Sequence, residues 1–168
     1  YSMGARTALQ TALMAPERIS HLVLGGVGGR LLDPSRPSQG EVVAQAMLAE
    51  DPETIAEPMA RSFRYFADEQ GEDRKALAAV VQAPSPPLDP GELAALPMPV
   101  LVVAGQRDSG AGDPEDLARL FPHGRGVTVA ACDHFSAIPH ALTKAAVFDF
   151  LDGLLDDAAW QNVPVADN

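Results

Sequence analysis

The sequence has little cysteine, few basic residues and no long apolar run. Its single cysteine, Cys132, cannot form a disulfide within the chain, so the sequence favours a protein of the reducing cytoplasm over a disulfide-stapled secreted domain. The 12 Lys and Arg residues stand against 23 Asp and Glu residues, and this net charge of -11 disfavours nucleic acid as a partner. No apolar run approaches the ~20 residues of a membrane-spanning helix, so no membrane partner is expected.

What is present suits a folded α/β domain. A chain of 168 residues, 46% of them hydrophobic, is long enough to bury a core of its own. Segments with the pattern of strands alternate with segments that have helical periodicity. This alternation predicts a parallel sheet flanked by helices.

Three short runs are predicted to be strands: residues 22–24 and the run "VLVVAG" that ends in Gly105, both with the pattern of buried strands, and "GVTVAAC". Helices are predicted in "ARTALQTALMAPERI", which ends at Pro16, and in "DPEDLARLF", where Asp113 is the expected N-cap. A closing helix is predicted in "PHALTKAAVFDFLDGLL". Its apolar face would consist of Leu142, Ala145, Ala146, Phe150 and Leu154.

The segment 31–96 has a different texture from its surroundings. It contains two or three helical stretches, followed by the proline-rich run "APSPPLDPGELAALPMP". We interpret it as a helical insertion between two parts of the sheet-containing core, 1–30 and 97–156, with residues 157–168 as a tail. The apolar sides of its helices would carry Val42, Val43, Ala46, Met47, Met59, Phe63 and Phe66.

Three residues with catalytic chemistry follow the turns and strands of the predicted core. Ser2 lies in "YSMG", which matches the last four positions of G-x-S-x-G, a strained turn that exposes a serine hydroxyl. Asp108 follows "VLVVAGQR" and His134 follows "VTVAACD". The carboxyl ends of parallel strands meet at one edge of the sheet, where open α/β sheets bind ligands.

With Ser, Asp and His in this order, the chain resembles the α/β-hydrolase fold family, in particular the C-terminal part of a serine hydrolase. The resemblance rests on "YSMGARTALQTALMAPERISHLVL", "PVLVVAGQRD" and "CDHFSAIPHALTKAAVFDFL". It implies Ser2 as nucleophile, His134 as general base, Asp108 as the acid that orients it, and the Met3 N–H as an oxyanion donor. It also implies a small-molecule acyl substrate such as a carboxylic ester, and a lid formed by residues 31–96.

Each of these residues also has a simpler interpretation. Ser2 could cap the first helix, and Asp113 competes with Asp108 for the role of the acid. Cys132 has the character of a small buried residue, and the glycines of "GGVGG" suit a turn. The remaining histidines, His21, His123 and His140, are most simply structural. Since the four histidines lack close ligand spacing and there is no pair of cysteines, no metal site is expected. No cofactor is expected either.

The sequence also begins inside the serine motif, without its first glycine. We therefore expect residues 1–168 to be part of a larger hydrolase. This part alone is expected to be inactive, because it lacks a second oxyanion donor. The edge of the predicted strand 22–24 would then pair with the missing half or with another copy of the chain. A hydrolase-like module that binds a ligand without catalysis is the alternative.

Overall fold

The computed structural model describes residues 1–33, 39–83 and 87–153, and they divide into two compact units. The residues up to Asp33 and those from Leu88 onward make up the first, here the core unit. The residues between them make up the second, here the helical unit. The predicted tail 157–168 and Leu154 lie outside the described residues.

The sheet of the core unit has the predicted parallel α/β arrangement. Its strands are β1 (Leu22–Gly25), β2 (Val100–Gly105) and β3 (Gly124–Val129), in the order β1-β2-β3. Both pairings are parallel, and Val100 is in register with Leu22 on one side and Gly124 on the other. β3 ends earlier than predicted because the chain turns at Ala131, where φ is 58°.

Helices surround this sheet and build the helical unit. None of those in the described part of the chain is long and apolar enough to cross a membrane. They are α1 (Met3–Met14), α2 (Gln39–Leu48), α3 (Pro58–Gln70), α4 (Arg74–Gln82), α5 (Pro90–Ala94), α6 (Pro114–Ala118) and α7 (Ala141–Leu151).

The central strand β2 is buried on both faces. Val100 and Val102 pack into an apolar cluster that includes residues of α1, α5 and α6. Leu101 and Val103 point the other way, into a cluster that includes Phe150 of α7. Side chains alternate across a strand, so burial on both faces requires an unbroken apolar run, as the sequence has here.

The closing helix packs through a narrower face than predicted. Ala146 and Phe150 are buried, as expected, but Leu142 and Ala145 are exposed, and for these two residues the prediction was wrong. α7 is apolar around much of its circumference, so composition alone does not select the side that packs.

The helix after β2 is shorter than predicted but begins where expected. It spans Pro114–Ala118, and the Asp113 carboxylate accepts a hydrogen bond from the Glu115 N–H at 2.9 Å. Pro114 occupies the first turn, where its missing N–H costs nothing. The residues that follow turn into β3.

The helical unit comprises α2, α3 and α4. Its small core includes Ala44, Met47, Ala67 and Ala78. Two residues predicted on apolar helix faces, Val42 and Phe66, are instead exposed; the prediction was wrong there, because alanines fill the contacts between these short helices.

Candidate active site

Ser2 sits on a strained turn at the start of α1. Its φ of 52° and ψ of -116° lie in a region that residues other than glycine rarely adopt, at a cost of about 1–3 kcal/mol. The Ser2 N–H donates to the Gly25 carbonyl at 2.7 Å, which fixes the turn to the end of β1. The hydroxyl makes no capping bond to α1 within the described residues, so the capping interpretation is wrong.

Asp108 lies in the loop that follows β2, and its carboxylate is almost completely buried. Oδ1 accepts hydrogen bonds from the N–H groups of Gly110 at 3.1 Å and Ala111 at 3.0 Å. Oδ2 lies 2.6 Å from His134 Nδ1. Hydrogen bonds to both oxygens hold the carboxylate in one orientation.

His134 lies in the turn after β3, which a neighbouring aspartate stabilises. The Asp133 carboxylate accepts from the N–H groups of Phe135 at 3.0 Å and Ser136 at 2.8 Å. Hydrogen bonds from Ser136, and then from Phe135, hold the pKa of Asp133 below its usual value. A charged Asp133 therefore favours the turn that presents His134.

This turn also docks closely on the end of β2. The Arg107 N–H donates to the Cys132 carbonyl at 2.8 Å. A Cβ on Gly105 would fall 2.4 Å from that same carbonyl oxygen, so any other residue there would push the turn away. Cys132 itself is buried, as predicted.

The three residues predicted from chain order form one hydrogen-bonded chain. Ser2 Oγ lies 3.0 Å from His134 Nε2, and the opposite ring nitrogen contacts Asp108. A carboxylate can only accept, so His134 Nδ1 carries the proton and Nε2 is left to accept the Ser2 hydroxyl. The arrangement can remove a proton from a serine and keep the resulting imidazolium beside a carboxylate.

The competing candidates lie elsewhere. Asp113 is exposed and caps α6, so it is not the partner of His134. His21 and His123 are exposed. His140 was predicted to lie inside the closing helix, but it is the N-cap of that helix. Its Nδ1 accepts a hydrogen bond from the Leu142 N–H at 3.2 Å.

The proposed oxyanion donor belongs to the residue after the serine. Met3 is the first residue of α1, and the first N–H groups of a helix have no partner within it. They also lie at the positive end of the helix dipole. As for a metal, no group of three or more His, Cys, Asp or Glu side chains that could hold one occurs in the described ranges.

Sequence reasoning missed Tyr1. Its hydroxyl donates to the His134 carbonyl at 2.8 Å, and its ring meets the His134 ring edge-on with centroids 5.3 Å apart. Burial, followed by the nearby negative charges of Asp108 and Asp133, raises the pKa of Tyr1 to about 12. The only signal in the sequence was its position next to Ser2.

Several solved structures are similar to this chain. A hydrolase from Pseudomonas aeruginosa PA01 superposes with a TM-score of 0.64 at 28% identity, over 88% of this chain and 61% of that one. A thermophilic esterase from Thermogutta terrifontis has a TM-score of 0.61 at 26% identity, over 90% and 62%. The 2-hydroxy-6-oxo-6-phenylhexa-2,4-dienoate hydrolase from Rhodococcus sp. strain RHA1 has a TM-score of 0.56 at 19% identity, over 88% and 60%.

The chain thus spans 60% to 62% of the length of these three structures. No protein-family model and no curated protein matches the sequence.

Proposed function

The chain has the α/β-hydrolase fold, and from that premise we propose that it carries the catalytic residues of a serine hydrolase that cleaves carboxylic esters or related acyl compounds. One observation carries the proposal: the hydrogen-bonded chain from Ser2 through His134 to Asp108. A buried carboxylate and a buried imidazole that end on the hydroxyl of a strained serine are the parts that acyl transfer needs.

In the first step, Ser2 Oγ attacks the substrate carbonyl carbon while its proton passes to His134 Nε2. The C–O bond to the leaving group then breaks, and the same proton goes to the departing oxygen. This step leaves an ester between Ser2 and the acyl group. Water, deprotonated by His134, then attacks the carbonyl carbon of that ester. The bond from this carbon to Ser2 Oγ breaks, His134 returns the proton to Oγ, and the acid is released.

Two further groups stabilise charge during these steps. Asp108 accepts from Nδ1 and so stabilises the imidazolium that forms when His134 holds the serine proton. The Met3 N–H donates to the oxyanion of the tetrahedral intermediate, helped by the dipole of α1. The role of residues 31–96 as a lid stays a prediction.

The α/β-hydrolase fold supports more reactions than the one proposed. One neighbour is an esterase and another a hydrolase of a phenylhexadienoate, so the fold alone does not select the substrate. We propose an ester because a serine nucleophile with a histidine base suits an acyl carbon. We further propose that the partner is a small molecule rather than nucleic acid or a membrane, that no cofactor is needed, and that the protein is cytoplasmic.

The test is covalent labelling of the whole protein with a fluorophosphonate, followed by intact mass and peptide mapping. We expect one adduct on Ser2, and Ser2→Ala should lose both the adduct and the hydrolysis of p-nitrophenyl acetate, by about 10³-fold or more. Ser62 is exposed on α3, so Ser62→Ala is the matched control and should be labelled and hydrolyse the ester as wild type does.

Labelling or turnover that persists in Ser2→Ala would contradict the proposal. A folded protein that neither reacts nor turns over would support the non-catalytic binding module instead. The same assay on residues 1–168 alone tests the prediction that this chain is inactive by itself, and its elution volume tests self-association.

A further inference from the structure

The Tyr1 ring, which is 36% exposed, packs against backbone that has no room for a side chain of its own. The ring lies on Gly25, the last residue of β1, and on the next residue, Gly26: a Cβ on Gly25 would fall 2.5 Å from Tyr1 Cδ2. A Cβ on Gly26 would fall 2.5 Å from Tyr1 Cε1 and 3.0 Å from His134 Cε1. The glycines thus let both rings approach the same stretch of backbone.

In this position Tyr1 makes two contacts with His134. The Tyr1 hydroxyl donates to the His134 backbone carbonyl, and the two rings meet at an angle of 61°. The ring of Phe135 contacts the His134 ring as well, at a centroid distance of 5.5 Å and an angle of 84°. One contact restrains the backbone of His134 and the others restrain its side chain.

We propose that Tyr1 is a positioning residue that holds the His134 imidazole in line with both Ser2 and Asp108. The inference rests on the proposed function. The contact of Asp108 with Nδ1 does not by itself fix the rotation of the ring that moves Nε2 toward or away from Ser2. The Tyr1 ring and hydroxyl oppose this rotation, and Gly26 leaves the space in which the aligned ring lies.

The hydroxyl is suited to this role over the working range of an enzyme. A tyrosine hydroxyl already keeps its proton at neutral pH, and because the pKa of Tyr1 is raised to about 12, the group keeps that proton to donate well into the alkaline range. Its acceptor is a backbone carbonyl, which does not titrate. The restraint on His134 therefore persists while the imidazole gains and loses its own proton.

The test compares the two tyrosines of the chain in the whole protein. Tyr1→Phe keeps the ring and deletes the hydroxyl, and Tyr65→Phe deletes a hydroxyl that bonds to Glu53 in the helical unit. With kcat for p-nitrophenyl acetate normalised to fluorophosphonate-titrated sites, we expect Tyr1→Phe to lower kcat about tenfold and Tyr1→Ala about 100-fold. KM should change little, and Tyr65→Phe should match wild type.

A second readout reports the geometry without turnover. The Nδ1–H proton that His134 donates to Asp108 should give a far-downfield NMR signal. We expect this proton to exchange with water faster in Tyr1→Phe and at the wild-type rate in Tyr65→Phe. This measurement also decides the case if Tyr1→Ala fails to fold.

A purely structural role would lower the melting temperature of Tyr1→Phe but leave kcat per titrated site and the NMR signal as in wild type. That result would overturn the inference. If Ser2→Ala still abolished labelling, the proposed function would stand without it, whereas persistent labelling of Ser2→Ala would remove both.

Discussion

Both units of the molecule bury a charged side chain, and they use it differently. In the helical unit, Arg64 is 4% exposed, and its Nη1 donates to the carbonyls of Ala46 at 3.2 Å and Ala49 at 2.6 Å. Its Nε donates to Asp68 at 2.9 Å. Arg64 therefore supplies hydrogen-bond donors at the C-terminal end of α2, where the last carbonyls of a helix have no partner within it.

In the core unit, the buried pair of Asp108 and His134 leads outward to another group. The chain of hydrogen bonds ends at the hydroxyl of Ser2, which is half-buried and held in strained backbone. The comparison sets a structural charge beside a pair that we propose to be catalytic. The donors of Arg64 end on groups that stabilise a helix, whereas the Asp108–His134 pair ends on a potential nucleophile.

The largest effect is expected from replacing Asp108, the proposed acid of the core unit. Asp108→Asn should lower kcat by about 10³–10⁴-fold, because an amide can donate to Nδ1 and so select the wrong tautomer of His134. Asp113→Asn is the matched control: it keeps a good N-cap and should leave kcat/KM unchanged. Hydrolysis of p-nitrophenyl acetate measures both, and equal losses would mean that Asp108 is not the acid.

The next effect concerns the helical unit and is on stability. Arg64→Met removes the Arg64 donor from the carbonyls of Ala46, in α2, and Ala49, just after it, and should lower the free energy of unfolding by about 2–4 kcal/mol. Arg61→Met, one turn earlier on α3, should change it by less than about 1 kcal/mol. The Nε of Arg61 is buried without a hydrogen bond within the described structure, so its removal loses less.

Urea unfolding measures both arginine variants. A loss for Arg61→Met as large as that for Arg64→Met would show that the carbonyl contacts of Arg64 are not what stabilises the unit.

The smallest effect tests the strain at Ser2. Since its φ is positive, Ser2→Gly should be more stable than Ser2→Ala by about 1 kcal/mol. At Thr7, inside α1, the sign should reverse, with Gly about 1 kcal/mol less stable than Ala. Chemical denaturation of the four variants measures this, and the same sign at both positions would mean that the Ser2 turn stores no strain.

Much of the fold could be predicted because local patterns carry it. The run "VLVVAG" is apolar at every position before its glycine, and only a strand buried on both faces needs that. The order of Ser2, Asp108 and His134 identified residues that the structure brings within hydrogen-bond distance. Their catalytic roles stay predictions until the variants are measured.

Local patterns failed where several packing solutions were equally apolar. Leu142 and Ala145 were predicted on the packed side of α7, yet the helix turns them outward and buries Ala146 and Phe150. The end of β3 was misplaced because an alanine, Ala131, adopts a left-handed backbone, and no propensity signals that.

By itself, the sequence determined the parallel α/β order and the N-cap of α6 by Asp113, which follow from periodicity and residue preferences over short stretches of chain. Together with the family resemblance it also pointed to Ser2, Asp108 and His134, with Asp113 left as a competing acid. Only the tertiary structure decided between Asp108 and Asp113, and only it revealed that the Tyr1 ring packs on Gly25 and Gly26. Such choices depend on contacts like that of Tyr1 with His134, 133 positions apart, whose geometry the packing of β1, β2 and β3 sets.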